Sequence, residues 1–206
     1  GTYSDFVRVL ATRPLPAITT PATSLCLGST VNLGTTTIAD EYEWLIYNDN
    51  QGPNGTLILS SNSQNPGVSP PLSVVGTYWV RLRTRSECCG WSIPVFEEIT
   101  VNAIPNGSIA VVTPICLGEM TTLTFSFNPG TGPYDIDFTD GITSVSLTGV
   151  MDGDTYDVTP TTTVTYSFTS ISDANSCGRI SGFTGSAQVT VHPLPTVNFS
   201  GLDANY

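Results

Sequence analysis

The chain has 206 residues, of which 39% are hydrophobic and only 11% charged, with a formal net charge of −11. That length suits two domains of about 100 residues each. All six cations are arginines, and so acidic a chain argues against nucleic acid and anionic membrane surfaces as partners, because long-range repulsion opposes both.

No apolar run reaches the roughly 18 residues that a membrane helix needs, so membrane insertion is not expected. No secretory leader opens the chain, which is expected to begin within a domain. Five cysteines in a β-patterned chain suit an oxidising compartment. Cys88 and Cys89 are adjacent, which does not fit the spaced pairs of a zinc site.

In chain order, residues 3–10 read as a strand, the expected end of a preceding repeat covering 1–13. A proline joint, Arg-Pro-Leu-Pro at 13–16, then opens a unit expected over 14–104. Inside it come Cys26-Leu27-Gly28, a short strand at 29–33, and an aromatic strand at 42–49. A long alternating strand at 76–90 runs into Cys88-Cys89, and a strand at 96–101 closes the unit. A second joint, Asn-Ala-Ile-Pro at 102–105, starts the same order again over 105–194. Cys116-Leu117-Gly118 leads to strands at 120–127, 134–141 and 160–169, a turn ending in Cys177, and a strand at 187–191. A third joint, His-Pro-Leu-Pro at 192–195, begins a stretch over 195–206 that reads as the start of a following repeat.

The period is regular. Pro16, Pro105 and Pro195 recur at intervals of 89 and 90 positions, and Tyr78–Cys89 and Tyr166–Cys177 each span 11. Such self-similarity is the signature of repeat architecture. Short strands, turn signals between them and no helical period predict an all-β fold: tandem immunoglobulin-like antiparallel β-sandwiches in an elongated array. Face alternation pairs the 42–49 strand (C) with the 76–86 strand (F). Tyr42, Trp44, Ile46, Tyr78, Val80 and Leu82 then point inward. Glu41 and Glu43 face Arg81, Arg83 and Arg85 outside, each pair contributing about 0.2–1 kcal/mol. Within each unit the cysteines are read as staples. Cys26 is paired with Cys89, or with Cys88, and Cys116 with Cys177. Loops of 63 and 61 positions would contribute about 4 kcal/mol each in the chain-entropy model.

Several motifs carry a resemblance. Cys-Leu-Gly after a proline joint, P-T-T-T-x-T-Y-x-F at 160–168, D-A-N-S-C-G at 173–178 and V-T-V-H-P-L-P at 189–195 resemble the tandem Ig-like, PKD-like repeats of giant cell-surface adhesins of Bacteroidota. Those proteins are exported by the type IX secretion system and include gliding-motility adhesins. Tyr-Asp-Ile-Asp-Phe-Thr-Asp-Gly at 134–141 is similar to the PKD signature. The resemblance implies a secreted, extracellular, multi-domain stalk or adhesin with no catalytic residues. Trp44, Trp79, Trp91 and the Cys88-Cys89 pair depart from its usual pattern.

Catalysis has little to use. The one histidine, His192, sits in a proline joint, where it reads as exposed spacing and not as a general base. Asp135, Asp137, Asp140, Asp152 and Asp154 are oxygen-rich calcium candidates, weighed against turn-capping aspartates, the favoured reading, so that no cofactor is expected. Asn54, Asn106 and Asn198 open Asn-X-Ser/Thr triplets at a frequency chance supplies. The function expected is a structural and adhesive segment of a filament or stalk. Its partners are neighbouring repeats, other copies, or surface glycans. The alternatives are a glycan- or protein-binding module using Trp79, Trp91 or a Trp91–Phe96 platform, and a virion fibre or decoration domain.

Overall fold

A computed structural model describes residues 15–19, 22–48, 55–87 and 89–198. The expected strand at 3–10, Asn54, Cys88 and the stretch beyond residue 198 lie outside them. The chain divides into two compact units between Asn102 and Ala103. Among the described residues every regular element is a strand.

The first unit holds β1 (Ser24–Cys26), β2 (Asn32–Leu33), β3 (Glu41–Asn48), β4 (Thr56–Ser61), β5 (Gly67–Val68), β6 (Gly76–Ser86), β7 (Gly90–Trp91) and β8 (Val95–Asn102). Its main sheet runs β1-β8-β6-β3-β4, with β7 hairpinned onto β6; β2 and β5 pair separately. The expected C–F pairing is present: Trp44 lies opposite Leu82, and Ile46 opposite Val80. Alternation is the cause. Side chains of a strand point to opposite faces in turn, so Tyr42, Trp44, Ile46, Tyr78, Val80 and Leu82 share one face. They are buried together with Val31, Leu33, Leu72, Ile99 and Val101.

The strand expected at 29–33 survives only as Asn32–Leu33. The segment opposite carries Pro66, Pro70 and Pro71, which have no N–H to donate to a ladder. Isolated bonds replace it. Ser69 N–H donates to the Val31 carbonyl at 2.8 Å and Leu72 N–H to the Ser29 carbonyl at 2.8 Å. The Ser69 hydroxyl accepts from Val31 N–H at 2.9 Å.

The second unit holds β9 (Gly107–Val111), β10 (Ile115–Cys116), β11 (Thr121–Phe127), β12 (Tyr134–Thr139), β13 (Ser144–Val150), β14 (Thr155–Val158), β15 (Val164–Ser172), β16 (Gly178–Arg179), β17 (Ser186–Val189) and β18 (Val191–His192). One sheet runs β14-β11-β9, another β13-β12-β15-β16 with β17 on β15, and β10 pairs β18. Leu123 and Phe125 from the first sheet and Ile136, Phe138, Tyr166 and Phe168 from the second bury into one core. Phe125 lies with its ring centroid 5.4 Å from that of Phe138 and 5.9 Å from that of Phe168. A register shift opposite Thr169 changes the alternation, so Ile171 turns inward after Phe168.

The two units are one design with a measurable offset. Tyr78 lies opposite Ile99, and Val164 opposite Val189; Ser86 closes on Gly90, and Ser172 on Gly178. Val164, not Tyr166, therefore occupies the place of Tyr78. The equal 11-residue spacings conceal a tyrosine two positions further along the strand and a turn two residues longer.

Candidate functional site

The cysteines occupy different places from those the spacing suggested. Cys26 is the register partner of Asn102, beside the end of β8 that pairs with Gly76. Cys89 sits past the other end of β6, its N–H donating to the Ser86 carbonyl at 3.1 Å. Ten steps of extended strand separate those ends by about 33 Å, whereas bridged Cα atoms lie within about 7 Å. A Cys26–Cys89 staple is thereby ruled out; Cys88, the alternative, lies outside the described residues. In the second unit Cys116 partners His192 at the Thr163 end of β15. Cys177 follows the Ser172 end, about 26 Å away by the same rise. Cys116 is an exposed free thiol, while Cys26 and Cys177 are each disulfide-bonded. The Cys116–Cys177 pairing is corrected accordingly.

The outer face of the first unit's main sheet carries the arginine row. Arg81 and Arg83 both clasp the Glu43 carboxylate; Arg83 Nη2 donates to Oε1 at 2.8 Å, and Arg85 Nη1 donates to Glu41 Oε1 at 2.7 Å. Burial pushes the Glu43 carboxyl up, but the hydrogen bonds and charges of Arg83 and Arg81 outweigh it and hold it below its ordinary value. Each arginine of the row is thus engaged by a carboxylate, Arg81 and Arg83 sharing one, so the row is a set of ion pairs and not an open anion stripe. The Arg83 guanidinium also lies 4.5 Å from the centre of the Trp91 ring, a cation–π contact that sequence reasoning missed because it spans a hairpin.

Trp79 lies between Tyr47 and Glu98, and Phe96 lies opposite Arg81. Trp91 opposite Arg85 is about 20 Å along the strand from Trp79. The fold does not bring the two tryptophans together. Trp91 and Phe96 are separated by four positions of β6, with Arg83 between them. They offer two aromatic footholds on either side of the Arg83–Glu43 ion pair, and Trp91 is 39% and Phe96 40% exposed.

The five calcium candidates each find a protein partner. Asp137 accepts from the Ser146 and Ser170 hydroxyls, which lower its carboxyl against a small opposing effect of burial. Asp140 accepts from the Thr143 and Ile142 N–H groups, which lower it likewise. Asp135 accepts from Gly149 N–H, Asp152 from Phe127 N–H and Asp154 from Met151 N–H. These are turn and cross-strand bonds. Among the described residues no three His, Cys, Asp or Glu side chains are grouped to hold a metal ion. His192 is exposed in β18, where its carbonyl accepts from Leu117 N–H at 2.8 Å.

Two structural residues escaped the sequence reading. The Tyr78 hydroxyl accepts from Val74 N–H at 3.0 Å and donates to the Val74 carbonyl at 3.1 Å. This is the tyrosine corner of immunoglobulin-like domains; a tyrosine at the start of a predicted F strand was the available signal. Asp173, read as a turn former, is 7% exposed. Its Oδ1 accepts from Asn175 N–H at 3.0 Å and Cys177 N–H at 2.9 Å, and its Oδ2 from Thr131 N–H at 3.1 Å. Nothing local in the sequence points to Thr131, 42 positions away. A groove of about 380 Å³ in the same unit is lined by Tyr156, Tyr166, Pro160, Ile142 and Asp140, among others. Burial, then the charge of Asp140, then Tyr156, raise the Tyr166 hydroxyl above its ordinary range.

These two units, with β3-β6-β8 in one sheet and the matching β12-β15-β17 in the other, and a tyrosine corner in the first, define immunoglobulin-like β-sandwiches. A three-Ig segment of titin matches 88% of this chain and is itself 67% covered, at 13% identity and a TM-score of 0.50. Fibronectin(III)-like modules of Clostridium thermocellum CbhA match 91% of the chain and are wholly covered, at 16% identity and a TM-score of 0.38. A marsupial T cell receptor matches 90% of the chain and is 75% covered, at 12% identity and a TM-score of 0.47. The titin likeness supports the fold and nothing finer. No protein-family model and no curated protein matches the chain.

Proposed function

We propose that the chain is a structural segment of a long extracellular, cell-surface protein, in which Ig-like repeats serve as spacers that carry an adhesive part away from the cell. The observation that carries this reading is the tandem copying of one sandwich, including its Cys-Leu-Gly turn, within a single chain. Fixed φ at the proline joints favours extended backbone between repeats. Repetition suits reach and multivalent attachment better than chemistry. The sequence resemblance to giant adhesins of gliding or surface-attached Bacteroidota, with type IX export and flanking stretches belonging to further repeats, fits the same reading. The repeats need no cofactor. The test is antibody raised against the two units, applied to intact cells that produce the parent protein. Surface labelling that disappears on mild external proteolysis supports the proposal; labelling only after lysis refutes it.

A second reading rests on Trp91 and Phe96, which are exposed on the sheet face with Arg83 and Arg81 between them. Aromatic faces flanked by hydrogen-bond donors suit a sugar ring. Binding of the two-unit fragment to a glycan array, lost in both Trp91→Ala and Phe96→Ala, would favour a glycan-binding role. No binding leaves the spacer role standing.

A further inference from the structure

Cys26 and Cys116 occupy one position of the repeat. Leu27 N–H donates to the Asn102 carbonyl at 2.8 Å, and Leu117 N–H to the His192 carbonyl at 2.8 Å. Ser29 N–H donates to the Cys26 carbonyl at 2.9 Å, and Glu119 N–H to the Cys116 carbonyl at 3.0 Å. Gly28 and Gly118 follow with φ of 85° and 90°, a left-handed turn that glycine adopts without strain. The backbone setting is the same and the sulfur chemistry differs. Cys26 is disulfide-bonded, whereas Cys116 is an exposed free thiol. Cys116 cannot turn inward for a partner, because Cys177 lies at the far end of its own unit and is already bonded.

We propose that Cys116 is the open half of a cross-link, which closes with a cysteine on another Ig-like repeat. The two thiols lose two protons and two electrons as the S–S bond forms. A donor disulfide of the thiol–disulfide oxidoreductase class takes them up and becomes a dithiol. The partner repeat comes either from a following part of a longer chain or from a second copy of this one. This deepens the spacer reading, on which it rests: Cys116 would tie its own repeat to another.

The experiment starts with the chain made under oxidising conditions, alkylated with iodoacetamide while folded and mapped without reduction. The Cys116 peptide should be alkylated, and the Cys26 and Cys177 peptides protected. A peptide joining Cys116 to Cys177 overturns the proposal. Next, the concentrated chain is treated with oxidised glutathione and a disulfide isomerase, and a parent fragment extended by one repeat is mapped alongside. Covalent multimers that dithiothreitol reverses and Cys116→Ser abolishes identify a second copy as the partner. A tenfold or greater fall in Cys116 alkylation in the extended fragment, with a linked peptide recovered, identifies the following repeat. Cys116 remaining fully alkylatable in both refutes the cross-link. Because its side chain is exposed, Cys116→Ser should melt within about 2 °C of the parent. The sulfur readout is independent of the antibody labelling, so either can fail without the other.

Discussion

Asp173→Ala tests how much of the second unit hangs on one buried carboxylate. The substitution removes the acceptor of three N–H groups, those of Thr131, Asn175 and Cys177. Thr131 and Asn175 are exposed, so water can replace two of those bonds at about 0.5 kcal/mol each; the buried Cys177 N–H is orphaned and should cost about 2 kcal/mol. The expected loss is about 3 kcal/mol. Asp173→Asn keeps an acceptor oxygen for the Oδ1 pair and should lose about half as much. All three tryptophans, Trp44, Trp79 and Trp91, belong to the first unit, which makes the readout selective. In urea, hydrogen exchange of the 131–139 and 164–177 peptides should show a midpoint lower by about 2 M, taking a slope of about 1.5 kcal/mol per molar. Tryptophan fluorescence should change little at the same time. A loss below 1 kcal/mol, or equal losses in Ala and Asn variants, would refute the assignment. Removing the Asp173 charge should also lower the Tyr134 hydroxyl, which burial, then Asp173 and Asp152, hold above its ordinary value; ultraviolet titration reads this directly.

Tyr78→Phe should destabilise the first unit by about 1–2 kcal/mol by opening the corner at Val74, followed by tryptophan fluorescence. Tyr166→Phe, two positions out of register with that site, should cost less than half as much in the second unit. Glu43→Gln should cost about 1 kcal/mol at low ionic strength, with a smaller difference in 1 M salt, because it dismantles two screened ion pairs at once. Acid should weaken both units. The carboxyls of Glu43, Asp137 and Asp140 are lower in the folded chain than in the unfolded one, so their stabilisation is complete above the unfolded values near pH 4 and is lost as pH falls below them. Melting temperatures between pH 6 and pH 2.5 check this, and Asp137→Asn should flatten the second unit's dependence.

The sequence by itself determined the class of fold and the division into copies. Tyr42, Trp44, Ile46 and Tyr78, Val80, Leu82 reveal their buried face because a strand alternates with period two, and Glu43 meets Arg83 because neighbouring strands place facing residues side by side. Such features depend on short stretches of chain. The cysteines were a different matter. Spacing alone suggested that Cys116 closes on Cys177, and only register shows them at opposite ends of one strand. The matched tyrosine–cysteine intervals misled for a related reason: a count along the chain cannot separate a shifted side chain from a lengthened turn. Likewise, the bond from Thr131 to Asp173 exists because folding brings distant backbone beside a turn. Local patterns depend on near neighbours and were legible; bonding across the sandwich depends on where each strand begins pairing, which the three-dimensional packing alone decides.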